Sequence, residues 1–441
     1  MPNGVRFNEK LPDISKSLEL HARAARLMPA GTQTLAKGAT QYVKGVAPLF
    51  VDRGKGARIW DVDGNEYLDY NMGIGPLSLG YAYDRVDDAI RRQLEKGITF
   101  SLVHPLEVEV AELVSAVVPG AECVRFSKTG CDVTTAAVRL ARAYTGRKKV
   151  AACGYHGWHD WYIAVTDRNR GIPAETRALT RTFTYNDLAS AEAVIDDETA
   201  CVILEPMLFE APRGRFLQEL KDLCGRRGAL LVFDEMWTGF RFALGGAQEL
   251  FDVKADLATF SKAVANGMPL SVLTGRRDVM ELLDKEVFFF TTFGGEALSL
   301  AAARETILEM QQKHVPAVLE ARGGKLRDGI NAVAAELGIE YVRCIGRGAR
   351  SLLALGAGAG DGLLAKSLLQ QELVRRGILW TGMHALSFSH TDADVEYTLE
   401  AYRGALTVIR DAVAAGTVRE SLKGSPMEPV FRTQTGTPVK R

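Results

Sequence analysis

Two short apolar runs, each stopped by charge, constrain this chain more than anything else in it. Ala229–Phe233 (ALLVF) carries no polar residue and stops at Asp234-Glu235; Leu257–Phe260 (LATF) stops at Ser261-Lys262. A run without polar alternation, bounded by charge, reads as a strand covered on both faces. If the two strands are neighbours in a parallel sheet, Asp234 and Lys262 emerge together at its carboxyl edge, where open α/β sheets bind ligands. A carboxylate and a primary amine placed there suit a ring cofactor bearing an aldehyde. The amine condenses with the aldehyde, and the carboxylate keeps a ring nitrogen protonated. The same two residues, taken alone, also suit an ordinary strand-end ion pair.

The text around the pair alternates between strand and helix. Strands are expected over Cys123–Phe126, Val150–Cys153, Cys201–Leu204 and Leu270–Thr274, and helices over Asp132–Tyr144 and Leu217–Arg227. That rhythm predicts an α/β architecture, a mostly parallel sheet with helices on both faces. Before it come a helix over Ser15–Leu27 with Ser15 or Ser17 as N-cap, a hairpin turned at Asp63-Gly64, and a glycine-bearing loop over Asn71–Tyr83. Helices over Asp84–Lys96 and Pro105–Val117 follow. Past Thr291 the text reads as helices over Leu298–Gln311 and Ala317–Leu337, then an α+β segment with strands near Ile339–Val342, Ser351–Leu355 and Ile378–Leu379. The expected division is 1–75, 76–315 and 316–441. The polar, proline-containing tail from Gly424 is expected to be extended or mobile.

Composition excludes several classes. Lys+Arg and Asp+Glu both number 54, so no charge bias points to nucleic acid or an anionic membrane. No N-terminal apolar stretch and no run of about 18 apolar residues argue for secretion or membrane spanning. The six cysteines show no CxxC pair and no metal-ligand spacing, so no metal site is expected, and reduced thiols in a cytoplasmic protein are.

Further candidates lie at the same predicted sheet edge. Ser127-Lys128-Thr129-Gly130-Cys131-Asp132 joins a strand to a helix; such a turn can hold a phosphate with backbone N–H groups and the helix's positive end, or be a plain tight turn. Tyr155-His156-Gly157 follows Val150–Cys153, and an aromatic ring there can stack on a cofactor ring or simply be structural. Trp158-His159-Asp160-Trp161 reads as pocket wall or as two core tryptophans. Glu205-Pro206 ends the strand Cys201–Leu204; Glu205 is either a cofactor- or substrate-orienting group or an exposed acid. Glu235 points away from Asp234 along the strand and is expected to act indirectly.

Taken together, Thr129-Gly130-Cys131-Asp132, Tyr155-His156-Gly157, Glu205-Pro206, FDEMWTGFR, ADL, Ser261-Lys262, NGMP and Thr291-Thr292-Phe293-Gly294-Gly295 occur in an order that resembles the class III (fold type I) aminotransferases dependent on pyridoxal 5'-phosphate (PLP). The likeness runs from about Pro29 to Ala414. It implies a large PLP-binding domain and a small α+β domain built from both termini. It implies Lys262 as the catalytic lysine, Asp234 on the ring nitrogen, Thr129, Gly130 and Cys131 around the phosphate, and Tyr155 on the ring face. Cys131 stands where the family carries a hydroxyl. Thr292 aligns with the threonine that reaches a neighbouring subunit's phosphate, which implies a homodimer with composite sites.

The implied activity is transfer of an amino group from an amino-acid donor to a ketone or aldehyde, with Lys262 carrying the proton between two carbon centres. The family's aminomutase branch, which works on one retained substrate, is the alternative, and a non-catalytic binding protein is a remote one. Two departures weigh against the aminomutase. Lys37 stands where that branch has a carboxylate-clamping arginine, and Gly382 aligns with its gating glutamate. Trp158, Glu205 and the polar turn Trp380–His390 suggest a polar acceptor such as a keto sugar or cyclitol.

Overall fold

The computed structural model describes residues 10–429 and resolves them into two compact units. The central unit is Asp84–Ala317; the terminal unit combines residues 10–83 with 318–429. Each is described by itself.

The central unit is built on a seven-stranded sheet: β1 (Cys123–Ser127), β2 (Lys149–Cys153), β3 (Thr180–Thr182), β4 (Thr199–Leu204), β5 (Leu230–Asp234), β6 (Leu257–Phe260) and β7 (Ser271–Gly275). In space the order is β1-β7-β6-β5-β4-β2-β3, with only β7 antiparallel to its neighbours. β4 and β5 are buried at every position. That explains their unbroken apolar text, because helices cover both faces. Helix α1 (Gly130–Thr145) packs Val133, Ala137, Leu140 and Ala141 with Leu230, Val232 and Leu257. Helix α2 (Phe216–Arg227) packs Phe216, Leu217, Leu220 and Leu223 with Leu231 and Phe233 on the other face. Gly146 and Gly228 end these helices at φ 68° and 63°, a left-handed C-terminal residue that glycine adopts without strain.

The parity of β5 has a functional consequence. Side chains two apart share a face, so Asp234 emerges with Val232 and Leu230 on the α1 side, where the phosphate-turn candidate also lies.

In the terminal unit, Val51–Lys55, Arg58–Asp61 and Glu66–Asp69 form an antiparallel meander, and Ile378–Leu379 joins it in parallel beside Glu66–Asp69. A second sheet pairs Val342–Arg347, Arg350–Leu355 and Met383–Ala385. Two expectations are corrected here. The helix Ser15–Leu27 is capped by neither serine: its Lys16 and Ser17 N–H groups donate to the Asp63 carboxylate from the hairpin turn, at 2.7 and 3.0 Å. The start of the tail is docked: Ser425 exchanges backbone hydrogen bonds with Lys44, Met427 is buried, and Glu428 pairs with Lys44 at 2.8 Å. The rest of the expected tail lies outside the described residues. Two helices the sequence reading did not name, Gly362–Arg375 and Asp392–Ala415, complete the unit.

All six cysteines are free thiols. Burial pushes those of Cys153 and Cys201 up to about 12, so they stay protonated. No helix among the described residues is long and apolar enough to cross a membrane.

Candidate active site

β5 and β6 are adjacent and parallel, with Asp234 opposite Thr259, so Asp234 and Lys262 leave neighbouring strands at the same edge. Asp234 is buried. Its Oδ1 accepts the Met236 N–H at 3.1 Å, and its Oδ2 lies 2.8 Å from His156 Nδ1. The other ring nitrogen of His156, Nε2, is 3.1 Å from the carbonyl oxygen of Cys153. A carbonyl oxygen only accepts, so Nε2 carries a proton, and a further proton sits between Nδ1 and the carboxylate. The buried Asp234–His156 pair is therefore neutral as a unit, as a dry carboxylate requires.

Lys262 follows β6 directly and begins a short 3-10 turn, Lys262–Ala265. Its backbone lies at φ 43°, a left-handed conformation costly for a residue with a Cβ and concentrated at functional positions. Its Nζ stands 4.1 Å from the ring centroid of Trp237, on the turn after β5.

The turn into α1 is capped from within. Asp132 accepts the N–H groups of Lys128 and Thr129, and Thr129 Oγ1 accepts that of Asp132. Helix geometry gives Gly130 and Cys131 no intrahelical acceptor for their own N–H groups, which therefore face outward at the positive helix end. A Cβ placed on Gly130 would lie 2.9 Å from Met236 Sδ, and one on Gly157 2.5 Å from Cys131 Sγ. The turns after β1, β2 and β5 are thus packed against one another with no room between. Lys128, a competing amine by position, is held by Glu296 at 2.8 Å and Pro269 O at 3.0 Å.

Tyr155 is half exposed, edge-on to Tyr162 with ring centroids 5.7 Å apart. Glu205 is buried, and its Oε1 accepts the Tyr155 N–H at 2.9 Å; it anchors the aromatic loop, a use that its strand-end position did not reveal. The aromatic loop divides: Trp161 is core, donating to Thr135 at 3.0 Å, whereas Trp158 is 67% exposed. Glu235 points to the opposite face and accepts the Thr238 hydroxyl and the N–H groups of Ala247 and Gln248 at 2.8 and 3.0 Å. Burial pushes its carboxyl up to about 7 against those hydrogen bonds. Thr292 is exposed on a loop whose Gly294 lies against Phe126.

The remaining candidates are in the terminal unit. Lys37 is exposed at the end of the turn Leu35–Lys37. Gly382 has φ 129°, and a Cβ there would lie 2.5 Å from Lys366 Nζ. The polar turn expected to favour a polar acceptor is spent internally: His384 meets Ser351 and Tyr402 at 3.1 and 2.7 Å, and Ser387 donates to His390 at 3.0 Å. Trp380, His384, Ser387 and His390 are all buried, so that support for a hydroxylated substrate falls away.

The sequence reading assigned no role to His156 or Trp237. His156 was signalled only by its place in the Tyr155-His156-Gly157 turn, two strands from Asp234, and Trp237 only by lying within FDEMWTGFR.

A buried carboxylate–imidazole pair, a half-buried amine on an adjacent strand end and N–H groups at a helix start fit a phosphorylated pyridine aldehyde, which needs a ring-nitrogen partner, an amine and a dianion cradle. Comparison with known proteins gives the same chemistry. Residues 40–349 match the family "Aminotransferase class-III". The chain is 35% identical over 417 residues to the 3-aminobutyryl-CoA aminotransferase of Cloacimonas acidaminovorans, covering 91% of this chain and 99% of that one. It is 37% identical over 345 residues to the glutamate-1-semialdehyde 2,1-aminomutase of Sulfurihydrogenibium azorense, covering 74% and 80%. The fold is similar to that of the Sphingopyxis sp. MTA144 FumI protein in its PLP-bound form, with a TM-score of 0.85, 29% identity, and coverage of 91% and 98%.

Proposed function

This chain belongs to the class III aminotransferases, PLP-dependent enzymes of fold type I, and within that family we propose that it transfers an amino group from an amino-acid donor to a separate ketone or aldehyde by a ping-pong mechanism. The observation that carries the site is the pair Asp234 and Lys262 at the ends of adjacent parallel strands, with Asp234 on the sheet face that α1 covers.

PLP, when bound, supplies an electron sink for charge developing at the substrate's α-carbon. In our reading, Asp234, kept neutral overall with His156, holds a proton at the ring nitrogen. The Gly130 and Cys131 N–H groups with Thr129 hold the phosphate, and Tyr155 covers one ring face on a loop fixed by Glu205. Lys262 would be the residue that holds the cofactor aldehyde, and its Nζ, when free, would carry one proton between two carbon centres. The exposed Thr292 serves the phosphate of a second subunit.

Intermolecular transfer is favoured over the aminomutase reaction because Lys37 is exposed and offers a point charge rather than a planar fork, and Lys366 fills the space beside Gly382 that a gating side chain would need. The test loads the enzyme with PLP, converts it to the pyridoxamine form with an amino-acid panel, and screens carbonyl compounds for return of the cofactor's absorbance. The panel takes in keto sugars and cyclitol ketones, 3-oxoacyl-CoA thioesters and glutamate-1-semialdehyde. Return of absorbance only after a separate donor has been consumed is expected. Efficient conversion of glutamate-1-semialdehyde to 5-aminolevulinate without donor would replace this reading with the aminomutase one. Borohydride reduction of the PLP-loaded protein should fix the label on Lys262; a label on Lys128 or Lys254 would overturn the site.

A further inference from the structure

Trp237 lies on the turn that follows Asp234, and its indole faces the Lys262 amine with 4.1 Å between Nζ and the ring centroid. Both ends of this contact are fixed by backbone. Lys262 leaves a fully buried strand at φ 43°, which sets the direction of its side chain. The Trp237 turn is closed by the Gly239 N–H on the Glu235 carbonyl at 2.9 Å, and the Glu235 carboxylate ties Thr238 to the N–H groups of Ala247 and Gln248. At Gly239 a Cβ would lie 2.3 Å from Phe260 Cδ1, so this turn sits hard against β6, the strand that carries Lys262.

An aromatic face attracts an ammonium ion and has no comparable hold on a neutral amine. We propose that Trp237 is a positioning residue that seats the ammonium form of Lys262 when Nζ, free of the cofactor, carries a proton. This rests on the reading of Lys262 as the PLP lysine. During transfer the amine takes a proton from the substrate's α-carbon and gives it back at a second carbon, so it is charged only between the two steps and the proton count closes. The indole lowers the free energy of that charged interval. It makes Nζ a stronger base for the first step and keeps it in one place for the second. Titratable groups at the same sheet edge include Asp234 and His156, Cys131 at the start of α1, Tyr155 from the aromatic loop with Glu205 that anchors it, and Lys128, already paired with Glu296. None of these changes in the variants below.

The test uses the full-length protein stripped of PLP. Reductive methylation is limited in time over a range of pH, and occupancy at Lys262 is read by peptide mass spectrometry with exposed Lys254 as internal reference. Only the neutral amine reacts, so the pH profile gives the Lys262 titration midpoint. W237L should move that midpoint down by about one pH unit, with up to about tenfold faster labelling at neutral pH. W237F and W237Y, which keep a weaker aromatic face, should recover part of the shift. A W237L midpoint equal to wild type, or W237F and W237Y labelling as fast as W237L, overturns the proposal. Should W237L fail to fold, W237F and W237Y decide it: a midpoint below wild type supports the seat, and an unchanged one removes it. Borohydride labelling of the PLP-loaded wild type separates the two readings. A label absent from Lys262 sinks the cofactor assignment, whereas a label there with no midpoint shift sinks only the role of Trp237.

Discussion

His156 spends both ring nitrogens on acceptors, the Cys153 carbonyl and the Asp234 carboxylate, in a place closed to water. Replacing it with phenylalanine leaves Asp234 Oδ2 buried without its partner, a loss of roughly 1–3 kcal/mol. The carboxylate then lacks the hydrogen bond that orients it and holds a pyridine nitrogen less well. H156F should weaken PLP binding by about tenfold or more, read by equilibrium absorbance titration; unchanged affinity would remove His156 from the site. Glu235, one residue beyond Asp234, makes a different prediction. Burial raises its carboxyl from 4.5 to about 7 in the folded chain, so the folded state binds that proton more tightly than the unfolded one. Its contribution to stability is present below 4.5 and is lost as pH rises through about 7. E235Q keeps one of the two acceptor oxygens that serve Ala247 and Gln248, and it does not titrate. The thermal midpoint of the PLP-free wild type should therefore fall relative to that of E235Q across this interval, and parallel curves would show that the carboxyl is not raised.

At the scale of elements, the start of α1 serves helix and cofactor together. Thr129 caps the helix while Asp132 closes a reciprocal box onto it. T129A should cost about 1 kcal/mol of stability without PLP and weaken PLP binding several-fold as well, whereas T129S should restore both; stability lost without any loss of affinity would confine Thr129 to the cap. This element was legible because small residues, a capping pattern and helical periodicity coincide in one short stretch. The strands ending at Phe260 and Asp234 were legible for a related reason, since burial on both faces leaves only apolar text before the functional residue. The helix Gly362–Arg375 was not. It is buried nearly all round, including Gln370, Gln371 and Glu372, so it shows no apolar stripe. Its amides are satisfied by distant partners: Gln370 by the Val43 N–H and the Trp380 carbonyl, Gln371 by the Lys423 N–H and the Ser421 carbonyl. Asp63 capping a helix some 46 residues earlier in the chain is the same kind of fact, and so is His156 reaching Asp234. Each depends on which turns the sheet brings together, and no local pattern in the sequence records that.

At the scale of the molecule, the central unit alone leaves a large apolar surface in water. Leu102, Val103, Phe288, Phe290 and Phe293 are all exposed, Leu102 at 85% and Phe288 at 72%. Val108 and Phe290 line one depression of about 520 Å³ with Thr291, Gly294 and Gly295. Exposed aromatic and aliphatic side chains in such number are costly to hydrate and suit a surface that a second chain would cover. Thr292 is presented outward from the loop that borders it, while the hydroxyl of Thr291 beside it is buried with no hydrogen-bond partner among the described residues. A second copy seated on this face would bury the phenylalanines and bring Thr292 to the neighbouring phosphate cradle. The enzyme should therefore sediment as a dimer at least, and F290E should shift it toward monomer with loss of activity. A composite site would have a sharper consequence. In a heterodimer of a K262A chain and a T292A chain, one site combines the K262A lysine position with the T292A threonine position, and the other combines the intact residues of both chains. Mixed subunits should then recover activity well above either parent, toward half that of wild type per dimer. If each site were built from one chain alone, both sites of the heterodimer would carry a lesion, and confirmed heterodimers would show no recovery.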